Sequence, residues 1–229
     1  MLIISQKQWA AGRVADLAVH LDTVVDSIRR FQVDQPIQPV VLLPLAEAAE
    51  PPPDRQAFLL ALGHVAAERG LFLAGAAVVT DPSAPVPFTL GFLLGAEGQS
   101  LLESRKYSPE LVNGLAVDQT SALAVPIAPS AAVTPIGQVG LLVGEDILFP
   151  HLARALVWKG AEVILNPAAE VSDDLFAARQ NARTARAFEN CAYIATASAC
   201  GGGAGEPQAE RPVASGFADW TGTRLDAQG

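Results

Sequence analysis

The sequence predicts an α+β protein built as one domain. Three observations carry this. Short apolar runs of strand length, bounded by Gly, Pro, Asn or Asp, recur along the chain. Among them lie amphipathic segments with apolar residues at three- and four-residue spacing. No linker-like stretch splits the chain, and no segment repeats at a fixed period.

The elements follow in order. "LIIS" is a short apolar strand. "VADLAVHLDTVVDSIRRF" places Val14, Leu17, Ala18, Leu21, Val24, Val25, Ile28 and Phe31 at helical spacing. "PVVLLP", residues 39–44, reads as a buried strand closed by its proline. After "EPPP", Asp54 suits the cap of a helix that presents Phe58, Leu59, Leu62, Val65 and Ala66 on one face, and Gly70 suits the position just past its end. "LFLAGAAVV" and "FTLGFLL" are strands, "AEGQ" at 96–99 is a hairpin turn, and "SLLESRKY" is the next strand. "SALAVPIAP" is a further apolar run and "VTPIG" a turn. The stretch "GQVGLLVGEDILFPHLARALVWKGAEVILNP" then reads as strand, sharp turn, helix and strand. Pro150 fits the first helical turn, Phe149, Leu152, Ala153 and Leu156 face inward, and Gly160 ends the helix. A helix over about 173–189 leads to the strand "CAYIATAS". "GGGAGEPQAERP" is a surface loop, and "VASGFADWTGTRLDAQG" gives two short strands around a turn.

Composition removes several function classes. A net charge of −9, with no basic run longer than Arg29-Arg30, argues against nucleic acid and anionic membrane surfaces. No stretch of about 18 apolar residues occurs without a charge, so no membrane span is expected. The N-terminus shows no secretory pattern, and a cytoplasmic protein is expected. His20, His64 and His151 form no metal-ligand pair, and the first two read as helix-flank residues. The two cysteines make neither a disulfide framework nor a metal site. Cys191, at the start of an apolar strand, reads as a buried structural residue; Cys200 has no basic neighbour to activate it. Neither a GxSxG elbow nor a Walker loop is present, and "GGGAGE" precedes a proline rather than a helix. No metal or cofactor is implied. Lys106, read alone, is a solvated lysine at a strand end.

Taken together, the segments resemble the nitrilase superfamily, the carbon–nitrogen hydrolases. That family's pattern has a strand ending in Pro-Glu, a Tyr-Arg-Lys strand end, and an elbow of the form Gly-x-x-x-Cys-x-Asp-x-x-Phe-Pro-Glu. Here the elbow is "GLLVGEDILFPH", from Gly140 to His151, followed by Arg154, Gly160-Ala161 and Asn166-Pro167. "ARTARAFENCAY" is similar to the family's Arg-Ala-x-Glu-Asn-x-x-Tyr segment. The resemblance implies a four-layer α-β-β-α sandwich, a single domain over 1–229 that stops short of the family's last strand and tail, and a homo-oligomer. It also implies a Glu-Lys-Cys triad. The cysteine attacks an amide or nitrile carbon, the glutamate moves its proton, and the lysine stabilises the charge that develops.

This sequence matches the triad only at Lys106. Gly144 stands at the nucleophile position, and Leu45, directly after Pro44, stands at the base position. Glu110, near the family's second glutamate, reads as out of register, and Glu145, Asp146 and Asn166 are further pocket candidates. The first expectation is a binding or regulatory protein without catalysis, holding a small amide or carboxylate ligand. The alternative is an active carbon–nitrogen hydrolase with Glu145 or Asp146 as general base. A third is a structural subunit of a hetero-oligomer.

Overall fold

The computed structural model describes residues 1–5, 7, 9, 11–30, 38–46, 53–84, 86–108, 111–112, 115–116, 129–169, 175–199, 216–219, 221 and 224–225. Two parallel crossover units organise them. In the first, β1 (Leu2–Ile4), α1 (Val14–Arg30), β2 (Val40–Leu45), α2 (Arg55–Arg69) and β3 (Phe72–Val79) alternate, and β4 (Phe88–Leu94) and β5 (Ser100–Arg105) add an antiparallel hairpin. The five strands pair in chain order as one sheet. A short hairpin of β6 (Leu111–Val112) and β7 (Leu115–Ala116) follows. The second unit contains β8 (Ala131–Thr134), β9 (Gly137–Leu141), α3 (Pro150–Trp158), β10 (Val163–Ala169), α4 (Phe176–Asn190), β11 (Tyr193–Ala199), β12 (Gly216–Ala218) and β13 (Arg224–Leu225). Its sheet runs β13-β12-β11-β10-β9-β8, with β9, β10 and β11 parallel. Parallel neighbours cannot be joined by tight turns, so each pair requires a helical crossover, and the amphipathic segments supply them.

Strand alternation builds three cores. Leu42, Ala74, Leu93 and Leu102 of the first sheet pack on Val139, Leu141, Val163, Leu165, Ala195 and Ala197 of the second. The residues of opposite parity in the first sheet, such as Val41, Leu43, Leu73 and Phe92, pack outward on Leu17 and Leu21 of α1 and on Phe58 and Leu62 of α2. On the far side, Leu142, Ile164 and Ile194 meet Leu152, Ala153 and Leu156 of α3 and Ala187 of α4. The result is the expected α-β-β-α sandwich, with a helix layer outside each sheet.

The helix ends follow the sequence signals. Asp54 accepts from the N–H groups of Gln56 and Ala57, both at 3.0 Å, and Gly70 closes α2 with φ +60°. Strand β2 is less regular. Its register shifts between Leu42 and Leu45, where Pro44 has no N–H to give to the ladder. Trp9 fixes this point: its indole N–H donates to the Pro44 carbonyl at 2.8 Å, and its ring stacks on Phe58 and meets Phe92 edge-on. Trp9→Phe keeps an aromatic ring but orphans the carbonyl, and is expected to cost about 1–3 kcal/mol in urea unfolding.

Three expectations need correction. Strand β2 does not stop at Pro44; it carries Leu45. The segment read as a turn at "VTPIG" begins with strand β8, whose Val133 is exposed and whose Ala131 and Ala132 give a weak apolar signal; the turn itself is confined to residues 135–136. Cys191 is not a buried strand residue. It is the exposed cap of α4, in the left-handed conformation at φ +50°, because the chain reverses there before β11 starts at Tyr193. Phe31, "SALAVPIA" at 121–128 and the "GGGAGEPQAERP" loop lie outside the described residues.

Candidate active site

The site is built where β9 gives way to α3. Leu142 still pairs with β10, its N–H donating to the Leu165 carbonyl at 3.0 Å. Gly144 then turns the chain at φ +54°, a left-handed conformation that favours glycine. The turn is a short 3-10 helix, Gly144–Leu148, so Glu145, Asp146 and Ile147 are swung inward and buried. Asn166 of β10 holds this turn from beneath. Its fully buried amide donates to the carbonyls of Leu142 (2.7 Å) and Gly144 (3.1 Å), and its oxygen accepts from Arg183 Nε of α4 at 3.2 Å.

Lys106 reaches the turn from the first sheet. It extends β5 by one residue, its N–H donating to the Thr89 carbonyl at 2.9 Å. Its Nζ lies 2.7 Å from Glu145 Oε2, and both side chains are under 10% exposed. A Cβ built on Gly144 would stand 3.7 Å from Lys106 Cε and 4.0 Å from its Nζ, with no other described atom within 4 Å among those outside its own chain neighbours. The next acidic residue has a different task. The Asp146 carboxylate accepts from the backbone N–H of Ser108 at 2.7 Å and of Tyr107 at 3.2 Å, tying the chain after β5 to the turn.

Burial pushes the Asp146 carboxyl up from its ordinary 3.8, against the pull of the Ser108 and Tyr107 donors and the Lys106 charge. Above 3.8 and up to the raised value, the folded chain keeps a proton that the unfolded chain has released. The contribution of this group to stability therefore falls as pH rises through that window. Asp146→Asn is expected to remove that fall, which a pH series of urea unfolding curves measures.

Leu45 joins the same face through the irregularity in β2. Leu42 and Leu45 are an odd number of residues apart, so a regular strand would point them to opposite faces. The register shift lets Leu45 pair with Ala76, which pairs with Gly91, which pairs with Ser104. This row shares its face with Ala74, Leu93 and Leu102, which look toward the second sheet. Gly91 packs directly under the turn: a Cβ there would meet Val143 Cγ2 at 2.6 Å. Leu45 thus lies two strands, about 10 Å, along the row from the point beneath Val143. The neighbouring Arg105 takes the opposite face, with its guanidinium 4.2 Å over the Phe88 ring.

Of the residues singled out in the sequence, Lys106, Gly144, Glu145, Asp146 and Asn166 gather at the turn, and Leu45 lies on the face and at the strand end that lead to it. Glu110 lies outside the described residues. His64 and His151 are exposed, while His20 exchanges a hydrogen bond with Ser5 Oγ at 3.0 Å. Among the described residues, no group of three or more His, Cys, Asp or Glu is placed to hold a metal, and no helix is long and apolar enough to cross a membrane. Sequence reasoning missed Arg183. Its signal was present: Arg179, Arg183 and Arg186 recur at helical spacing in α4, and all three are buried. A stripe of arginines on the inward face of a helix points to polar partners inside.

Comparison with known proteins identifies the family. The carbon–nitrogen hydrolase family profile matches residues 38–217. A "hydrolase in pqqF 5′ region" of Pseudomonas protegens is 47% identical over 64 residues, 28% of this chain and 22% of that protein. The deaminated glutathione amidase of Bos taurus is 36% identical over 84 residues, 37% of this chain and 26% of that protein. Both alignments span well under two thirds of the relative's own length. A solved amidase variant from Nesterenkonia, with the acetamide moiety of fluoroacetamide added covalently at its active-site cysteine, superposes with a TM-score of 0.67 at 22% identity, covering 98% of this chain and 84% of that one. With most of its length matched by the family profile and its two-sheet architecture shared, this chain belongs to the carbon–nitrogen hydrolase family.

Proposed function

We propose that this protein is a carbon–nitrogen hydrolase-family member that binds a small ligand at the Gly144 turn without cleaving it, acting as a binding or regulatory protein. The observation that carries the reading is the open position at Gly144, which faces Lys106 and bears no nucleophile. A covalent acyl-enzyme needs an attacking atom, and glycine supplies none. The chain has only two cysteines: Cys191 is exposed at the end of α4, and Cys200 follows β11 outside the described residues. Leu45 on the facing sheet supplies no proton acceptor. The two acids at the turn are engaged, Asp146 with two backbone N–H groups and Glu145 with Lys106. The amidases among the relatives favour the rival reading, hydrolysis, for which Glu145 or Asp146 would have to serve as base.

A panel of small amides and nitriles separates the two. No turnover is expected from the wild-type chain. Steady turnover insensitive to iodoacetamide would favour the rival, and turnover abolished by iodoacetamide would point to an unrecognised thiol. The same reading includes a cytoplasmic location and a homo-oligomer; the oligomer is supported by Trp158 on α3 and Phe188 on α4, which are 80% and 65% exposed on the outer helix layer. Light scattering is expected to give a multiple of the 23.8 kDa chain mass, and the chain mass itself would remove the oligomer.

A further inference from the structure

We infer that Glu145 sets the charge of the ligand this site accepts: by holding the Lys106 ammonium, it excludes carboxylates and leaves the site to uncharged hydrogen-bond acceptors. The inference rests on the reading of the Gly144 turn as the ligand site. A buried ammonium without a counter-ion attracts any small anion strongly, because the charges meet in a medium of low polarisability. Lys106 is not in that state. Glu145 Oε2 lies 2.7 Å from its Nζ, and both side chains are buried.

The pair is also fixed in place. Glu145 sits in a 3-10 turn that Asn166 anchors through the Leu142 and Gly144 carbonyls and that Asp146 ties to the chain after β5. These contacts fix the backbone from which the Glu145 side chain reaches Lys106. An entering carboxylate meets an ammonium whose charge Glu145 already balances. To bind, it has to displace Glu145 and leave that carboxylate buried without its partner. An uncharged acceptor has no such conflict. The ammonium has three N–H donors, and the pairing with Glu145 leaves others to donate to a carbonyl or hydroxyl oxygen.

Acetate and acetamide test this, being nearly the same shape and differing in charge. The chain contains only three lysines, Lys7, Lys106 and Lys159, so lysine labelled with 13C at Cε gives three resonances to follow by NMR. In the wild type the Lys106 signal is expected to shift saturably with acetamide and not with acetate. In Glu145→Gln it is expected to respond to acetate as well, with an affinity roughly tenfold or more above that of the wild type, as a charge-assisted contact allows. Equal affinity of the wild type for acetate and acetamide overturns the inference. So does a Glu145→Gln variant that still answers acetamide but stays silent to acetate. A Lys106 signal unmoved by either molecule in either protein overturns the reading of the turn as a ligand site, a different failure. Should Glu145→Gln not fold, the wild-type comparison decides alone, since it needs no variant.

Discussion

Gly144→Cys combined with Leu45→Glu is expected to produce hydrolysis of small primary amides, while either substitution alone gives little. The reason lies in how such groups act. A thiol beside Lys106 without a base has no group to take its proton as it attacks or to return that proton to the leaving amine, and a base without a nucleophile has nothing to activate. Groups that work as a unit are strongly non-additive, so the double variant should exceed each single one by about a thousandfold or more. The geometry favours the experiment. A Cβ at Gly144 would make ordinary van der Waals contact with Lys106 Cε at 3.7 Å, so the new sulfur enters beside the ammonium. Residue 45 lies on the face of the first sheet that looks toward the turn, at the end of β2. One cost is certain: residue 144 has φ +54°, and a side chain there costs about 1–2 kcal/mol. Unfolding curves on the single variant separate that strain from a failure of chemistry. Turnover in the wild type at the level of the double variant sinks the reading of Gly144 and Leu45 as lost catalytic positions.

The elements were legible where local signals were strong. The cap at Asp54, the end at Gly70 and the four helices stand where spacing and capping residues put them, because these are properties of a few neighbouring residues. The division of strands between two sheets was not readable from periodicity. Apolar runs buried on both faces look alike whichever sheet they join, and the layer order came from the resemblance. At the site, sequence pattern identified the residues but not their pairing. That Glu145 answers Lys106 depends on the 3-10 turn, which swings residue 145 inward; the elbow pattern marks the turn, but nothing in "VGEDILFP" shows which way residue 145 points. Nor does the sequence show that Leu45 reaches the facing side. That follows from a shift of register at Pro44, held by Trp9 from 35 residues away. Cys191 was misplaced for a related reason: the tight reversal after α4 uses a left-handed residue, and cysteine gives no hint of that conformation.

Separating the Lys106–Glu145 pair should destabilise the protein strongly, while removing both charges should not. Lys106→Met leaves a carboxylate buried at the turn, and Glu145→Gln leaves an ammonium buried at the end of β5. Each single change is expected to cost about 3–5 kcal/mol, because a buried charge then lacks its partner and cannot regain its hydration in place. The combined variant Lys106→Met/Glu145→Gln has no such orphan. It loses the attraction between the charges but also the cost of keeping two ions out of water, and these terms nearly cancel in buried pairs. Its stability should return to within about 1–2 kcal/mol of the wild type, well above either single variant. Urea unfolding of the four proteins measures the coupling directly. If the two single costs simply add, the charges do not compensate each other in solution, and Glu145 is not the counter-ion of Lys106. If each single variant loses only a few tenths of a kcal/mol, water reaches the pair and screens it. A large coupling is the result that a buried, self-neutralised pair requires. It also explains how a buried lysine persists at the Gly144 turn: the turn carries its own carboxylate, one residue after the glycine.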